Sequence, residues 1–249
     1  MERMDWQKLL NVGRYGQETR NDNKDIRRPY QRDFDRIVFS SAFRRMQDKT
    51  QVFPIPQSDF VHNRLTHSLE VSSVGRSLGS LGGKIILEKE NNQLDIHPES
   101  FGDIVAAACL AHDLGNPPFG HSGEKAIGAY FNSKQGQNHK NQLENGQYWA
   151  DFIHYEGNAA GFRILTNHHP RENPGGLFLT YATLGTFSKY PCASREKKTK
   201  VEGHTSLKKF GYFNSEEKIF AEVASELGLL VNDAIPGNNW KRHPLAFLM

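Results

Sequence analysis

The sequence has few of the features that mark secreted or membrane-embedded proteins. Its 249 residues include only two cysteines, too few for a disulfide framework. No apolar run is long enough to cross a bilayer. The opening segment MERMDWQKLL lacks the apolar stretch that a signal peptide requires. These absences predict a cytoplasmic protein with reduced thiols and no membrane span.

Strong charge is also lacking, since the formal net charge is only +3 with histidine neutral. Overall charge therefore does not indicate a nucleic-acid partner. One segment is locally basic and contains Arg195, Lys197, Lys198, Lys200, Lys208 and Lys209. Its simplest interpretation is a solvated loop, and the alternative is a rim that attracts anions towards a phosphate site.

The alternating pattern typical of strands is scarce, so we predict a mainly α fold. Polar residues 1–30 are expected to form an extended N-terminal arm, and residues 31–249 one large globular domain. Apolar spacing predicts helices near 33–46, 67–85, 101–114, 122–131, 157–165, 177–186 and 216–229. Loops are predicted at 50–61, 132–148 and 168–176, where proline, glycine or polar residues dominate.

The clearest helical pattern lies in the second of these helices. An apolar stripe recurs at steps of three and four and comprises His67, Val71, Val74, Leu78, Leu81 and Ile85. We predict that this stripe faces the protein interior. The next helix is expected to carry His112 on its inner face and to stop at Gly115, because two prolines follow.

The residues best suited to metal binding or catalysis lie in the segment HDLGNPPFGHSGE, at 112–124. Imidazole and carboxylate groups together suit a divalent metal, which predicts a site at His67, His112 and Asp113. His121 and Glu124 are three residues apart at a helix start, an arrangement suited to a general acid or base held by a carboxylate. Taken singly, an inward histidine is more often a hydrogen-bonded core residue, and Glu124 also fits the first turn of a helix.

Two blocks, HNRLTHS (62–68) and HDLGNPPFGHSGE (112–124), resemble the HD-domain phosphohydrolases, and more narrowly the deoxyguanosine triphosphate triphosphohydrolase family. The blocks FSSAFRRMQDKTQVF, YEGNAAGFRIL, LTYATLGTFSKYP and RHPLAFLM are also similar to that family, with Tyr155 in place of a phenylalanine. The resemblance implies an HD-type helical fold that hydrolyses a deoxynucleoside triphosphate, with dGTP favoured, to deoxynucleoside and inorganic triphosphate.

The same resemblance implies roles for individual residues. His67, His112 and Asp113 would bind a divalent ion, Mg²⁺ or Mn²⁺. His121 and Glu124 would form the catalytic pair. Arg64 would contact a substrate phosphate and Gln51 the deoxyribose. The resemblance further suggests a homo-oligomer, and it is compatible with a nucleotide or a single-stranded nucleic acid as effector.

The sequence departs from the family at its end. The family places a second aspartate ligand just after the segment that matches RHPLAFLM, and this chain stops there, at Met249. We therefore expect the HD-type domain to be incomplete at its C-terminus.

Two other functions fit parts of the sequence. The metal motif alone also suits another HD-type nucleotidase or a phosphodiesterase. A non-catalytic nucleotide or nucleic-acid module would use the basic segment together with the aromatics Tyr190, Phe210, Tyr212 and Phe213 as a charged stacking surface.

Overall fold

A computed structural model describes residues 3–16, 25–50, 62–143, 148–167, 176–194, 209–232 and 239–249. Helices dominate these ranges, which confirms the predicted mainly α fold, and β-structure in them is limited to isolated bridges. The α-helices are α1 (Trp6–Leu9), α2 (Pro29–Phe39), α3 (Ser41–Arg44), α4 (Arg64–Lys89), α5 (Pro98–Ala111), α6 (His121–Asn132), α7 (Lys134–Gln137), α8 (Trp149–Ile153), α9 (Gly157–Thr166), α10 (Tyr181–Phe187) and α11 (Glu217–Leu227). In the described ranges, no helix combines the length and apolar character needed to cross a membrane.

The long helix α4 packs against α5 at very short range because both helices present small residues. A Cβ atom built on Gly79 would lie only 2.8 Å from the carbonyl oxygen of Phe101, and one on Gly75 would lie 2.5 Å from Sγ of Cys109. Ser72 donates a hydrogen bond to the carbonyl oxygen of Ala106 at 2.8 Å. The two helices are antiparallel, so the first turn of α4 lies beside the end of α5.

The buried face of α4 differs from the predicted one. Its buried residues are Arg64, Ser68, Ser72, Gly75, Gly79, Gly83 and Leu87. Four members of the apolar stripe are 43–60% exposed, namely Val74, Leu78, Leu81 and Ile85. The prediction was wrong because small polar and glycine residues, which carry no apolar signal, allow the closest approach of α5.

Other predicted elements are confirmed with shifted bounds, and one is divided. The single helix expected at 33–46 is interrupted at Ser40, which caps α3 by accepting a hydrogen bond from the backbone N–H of Phe43. A 3-10 helix, Arg45–Asp48, follows. The loop expected at 132–148 contains α7 and the 3-10 helix Lys140–Gln142. Most of the segments 50–61 and 168–176 lies outside the described residues.

The segment predicted to be an extended arm contributes to the core. Residues 6–9 form α1, and Leu9 is buried in the main apolar cluster. Arg14 forms a buried ion pair with Asp33 of α2. At the other end of the chain, His243 is fully buried and contacts the carbonyl oxygen of Leu9 through Nε2 at 3.1 Å.

Candidate functional site

The local sequence fixes where α4 begins and therefore how its first side chains are oriented. Asn63 accepts a hydrogen bond from the backbone N–H of Thr66 at 2.9 Å, and its own N–H donates to Thr66 Oγ1 at 3.1 Å. This reciprocal capping box satisfies backbone donors that a helix start leaves unpaired. It places Arg64 and His67 in the first two turns of the helix, on the side that approaches the end of α5.

His67, His112 and Asp113 come together as predicted. Their candidate ligand atoms all lie within 4.8 Å of one another. The rings of His67 and His112 have centroids 5.2 Å apart. Nε2 of His112 lies 3.3 Å from Oδ1 of Asp113, which is buried. In the part of the chain that the structure describes, this is the only group of three or more His, Cys, Asp or Glu side chains that could hold a metal ion together.

The chemistry of this group fits a divalent metal ion. The Nδ1 atom of His112 lies 2.8 Å from the carbonyl oxygen of Cys109 and can donate to it, which leaves Nε2 as the free ligand atom. Burial lowers the pKa of His112 below its ordinary value, and this favours the neutral imidazole that binds metals. One carboxylate and two imidazoles are ligands that Mn²⁺ and other first-row ions accept.

Arg64 lies against this cluster and is also almost fully buried. Its Nη1 atom donates a hydrogen bond to Oδ2 of Asp113 at 2.7 Å. A Cβ atom on Gly120 would lie 3.2 Å from Arg64 Nη2, so the guanidinium extends beneath the turn that leads to His121. The Nε atom of Arg64 is buried and, among the described residues, has no hydrogen-bond partner. Arg64 therefore retains donor capacity beside the cluster.

His121 and Glu124 form the second half of the site. Nδ1 of His121 lies 3.3 Å from Oε2 of Glu124. The imidazole is 75% exposed, whereas the carboxylate is largely buried. Oε1 of Glu124 accepts a hydrogen bond from the backbone N–H of Gly157 at 2.8 Å. A fixed carboxylate thus holds an accessible imidazole, which is the geometry that a general acid or base requires.

The backbone between the two halves is unusual. Phe119 has φ of +66° and Gly120 has φ of +53°, values in the left-handed region that a phenylalanine rarely adopts. These two residues reverse the chain after Pro117 and Pro118 and start α6 at His121. Only seven residues of chain therefore separate Asp113 from His121.

Two lysines near the site were not predicted from the sequence. Nζ of Lys49 donates to the carbonyl oxygen of Asn116 at 3.0 Å, and its charge interacts with Asp113 and Arg64. Lys189 is within electrostatic range of Asp113 and Cys109. Burial lowers the pKa of both lysines, although Asp113 opposes that shift. Lys189 stands in LTYATLGTFSKYP, which supported the family resemblance but suggested no role for it.

Most of the other predicted residues lie outside the described ranges or in the core. Gln51 and most of the basic segment, 195–208, lie outside the described residues. The proposed stacking surface is wrong for three of its four aromatics, because Phe210, Tyr212 and Phe213 are buried. Tyr212 stacks on Phe220 with ring centroids 4.3 Å apart, so these rings serve the core.

Comparison with known proteins identifies the family of the chain. The model of the HD domain family matches residues 64–202, which include the cluster and the His121–Glu124 pair. The chain belongs to the HD-domain family.

Among curated proteins, the chain is 48% identical to a deoxyguanosinetriphosphate triphosphohydrolase-like protein of Synechocystis over 99% of its own length and 56% of that protein. It is 45% identical to a protein of the same description from Pseudomonas aeruginosa, over 99% of this chain and 54% of that one. It is 36% identical to the deoxyguanosinetriphosphate triphosphohydrolase of Salmonella enteritidis, over 90% of this chain and 47% of that enzyme. The chain thus spans about half the length of the curated relatives it matches.

Proposed function

We propose that the protein hydrolyses deoxynucleoside triphosphates, dGTP in preference, to deoxynucleoside and inorganic triphosphate in a reaction that depends on Mg²⁺ or Mn²⁺. The observation that carries this proposal is a two-histidine, one-carboxylate cluster that shares the short segment 112–124 with an accessible imidazole held by a largely buried carboxylate. The descriptions of the relatives point to the same substrate class.

The charges around the cluster suit a polyphosphate. Arg64 forms an ion pair with Asp113, and the charges of Lys49 and Lys189 interact electrostatically with the same carboxylate. A guanidinium with free N–H groups can donate to non-bridging phosphate oxygens in a fixed geometry. We assign phosphate binding to Arg64, with the two lysines adding positive potential.

His121 is the residue we assign to proton transfer. In the proposed reaction a water oxygen bonds to the α-phosphorus and the bond from that phosphorus to the 5′ oxygen breaks. One proton therefore leaves the water and one reaches the 5′ oxygen. His121, oriented by Glu124, takes or gives that proton. A divalent ion held by His67, His112 and Asp113 would supply Lewis-acid polarisation of a phosphoryl oxygen.

Product analysis tests the proposal. The full chain is incubated with dGTP and Mn²⁺ or Mg²⁺, with dATP, dCTP, dTTP and GTP in parallel, and the products are separated by ion-exchange chromatography. We expect deoxyguanosine and intact triphosphate, and loss of both products when the metal is chelated. Release of orthophosphate or pyrophosphate instead would assign the protein to another HD-type activity, a nucleotidase or a phosphodiesterase.

We further propose that the intact protein is cytoplasmic, as its low cysteine content suggests. The resemblance favours a homo-oligomer in which a nucleotide or a single-stranded nucleic acid acts as effector. Residual binding of single-stranded nucleic acid without any turnover would favour the non-catalytic alternative. Such binding would weaken steeply with added salt if it used phosphate contacts.

A further inference from the structure

The block YEGN, at 155–158, matched the family pattern but received no chemical role. In the structure its backbone and side chains lie against the turn that joins the two halves of the site. Gly157, the first residue of α9, donates its N–H to Glu124 at 2.8 Å. The hydroxyl of Tyr155 donates to the carbonyl oxygen of Gly115 at 3.1 Å. The block therefore contacts the 113–124 segment on both sides of the turn, at Gly115 before it and at Glu124 in the first turn of α6.

Asn116 links this contact to the metal cluster. Its Nδ2 atom donates to Oδ1 of Asp113 at 2.5 Å. A Cβ atom on Gly157 would lie 2.0 Å from Asn116 Oδ1 and 3.0 Å from Glu124 Oε1. Because Gly157 has no side chain, the Asn116 amide and the Glu124 carboxylate can both lie against its backbone.

A second close approach fixes the turn itself. A Cβ atom on Gly115 would lie 2.1 Å from the carbonyl oxygen of Gly157 and 2.1 Å from the backbone nitrogen of Gly161. Backbone therefore packs directly on backbone at the start of α9. Because neither partner is a flexible side chain, this contact leaves little freedom in the position of Asn116.

We propose that Asn116 and Gly157 are positioning residues that fix the geometry of the metal-binding carboxylate relative to the proton-transferring pair. Gly157 orients Glu124 directly, and Asn116 orients Asp113 through its amide. Outer-shell partners of this kind set the direction of a ligand's lone pairs, and their loss typically weakens metal binding about 10–100-fold. This inference rests on the proposed function for its catalytic part, whereas its metal-binding part is independent of turnover.

The first arm of the test measures binding of Mn²⁺ alone, by the electron paramagnetic resonance signal of the free ion. Asn116→Ala in the full chain should weaken Mn²⁺ binding about 10–100-fold, because Asp113 Oδ1 loses its only side-chain amide donor among the described residues. Asn132→Ala is the matched control, since the Asn132 amide donates to Gly128 at 2.9 Å within α6. Asn132→Ala should bind Mn²⁺ as the wild type does.

The second arm uses Gly157→Ala, which adds one methyl group where the structure has no space. Gly82→Ala is its control, because a Cβ atom there meets only the flexible tip of Leu248 at 3.3 Å. We expect Gly157→Ala to weaken Mn²⁺ binding and to lower kcat with dGTP. Excess Mn²⁺ should restore turnover to Asn116→Ala, whose defect lies in metal binding, but not to Gly157→Ala.

The outcomes separate the claims. Wild-type Mn²⁺ affinity in folded Asn116→Ala, or absence of Mn²⁺ binding by the wild-type chain, would overturn the positioning role. If circular dichroism shows that Asn116→Ala is unfolded, Asn116→Ser replaces it, and its shorter donor should give the same loss of affinity. If no variant or wild-type chain turns over dGTP, the proposed function fails while the Mn²⁺ measurements still decide the positioning role of Asn116.

Discussion

The Nη1 atom of Arg64 donates a hydrogen bond to Oδ2 of Asp113 at 2.7 Å, and both side chains are buried. Removing the cation of such a buried ion pair leaves the carboxylate buried without a partner. The same carboxylate is one of the three candidate metal ligands. Arg64 and a bound metal ion would therefore neutralise one charge together.

Arg64→Ala should lower the free energy of unfolding by about 3 kcal/mol, because it leaves Asp113 buried and uncompensated by its closest cation. Saturating Mn²⁺ should recover more stability in this variant than it adds to the wild type, because the ion would neutralise Asp113. Urea unfolding with and without Mn²⁺ measures both effects. Arg27→Ala, which removes surface ion pairs with Asp25 and Asp35, should change stability by no more than about 1 kcal/mol. An equally small effect of Arg64→Ala would contradict the account.

The contact between α4 and α5 predicts opposite effects for two glycines of α4. Gly79→Ala gains about 1 kcal/mol of helix propensity but forces a methyl group against backbone atoms of Phe101 and Gly102, 2.8 and 2.9 Å away. Overpacking costs about 1–3 kcal/mol, so we expect net destabilisation. Gly82→Ala meets only a mobile side-chain tip and should stabilise by up to about 1 kcal/mol. Urea unfolding of both variants checks the signs, and stabilisation by Gly79→Ala would show that the helices are further apart.

His243 predicts a pH dependence of stability. Burial lowers its pKa from 6.5 to about 4, against the opposing effect of its bond to Leu9. Leu245 donates its N–H to His243 Nδ1 at 3.1 Å, so that atom cannot accept a proton without losing the bond. Neutral His243 therefore contributes its full stabilisation of the folded protein above about pH 6.5. Below that pH the unfolded chain binds a proton before the folded chain does. The free energy of unfolding then decreases by roughly 3 kcal/mol between about pH 6.5 and about pH 4.

The variant His243→Gln isolates this effect. It should be less stable than the wild type at pH 7.5, and the difference between the two proteins should narrow by pH 5. Other titrating groups are shared by both chains and cancel in the comparison. Parallel unfolding curves at the two pH values, with a constant difference, would mean that His243 is protonated without penalty in the folded protein.

His121 is predicted to act on protons and not on the metal ion. His121→Gln should lower kcat with dGTP about 10²–10⁴-fold and leave Mn²⁺ affinity unchanged, because the imidazole contacts Glu124 and lies outside the cluster. His139→Gln, a change at an exposed histidine beside Tyr130, serves as the control. Wild-type turnover in a His121→Gln chain that still binds Mn²⁺ would contradict the assignment of proton transfer to His121.

The sequence allowed much of the candidate site's geometry to be predicted because that geometry is largely local. A capped helix start orients Arg64 and His67, and a short turn connects Asp113 to His121. The meeting of the two segments depends on the α4–α5 contact, which the apolar pattern placed on the wrong face. Glycine and serine made that contact possible, and a hydrophobicity pattern gives them no weight.

The residues that sequence reasoning missed are those brought in from distant segments. Lys49 and Lys189 approach Asp113 from outside both motifs, and their burial depends on tertiary packing. Gly157 contacts Glu124 only because the start of α9 packs on the 113–124 segment. The alternative of a stacking surface at Phe210, Tyr212 and Phe213 fails because composition alone does not distinguish a stacking platform from a core.

Equilibrium binding of Mn²⁺ to the wild-type chain, to His67→Ala and to His112→Ala, with His139→Ala as control, tests the central claim most directly. The account predicts a Mn²⁺ site in the wild type and in the control, weakened at least about 10-fold in each of the other two variants. Unchanged Mn²⁺ affinity in both His67→Ala and His112→Ala would contradict the assignment of the metal site.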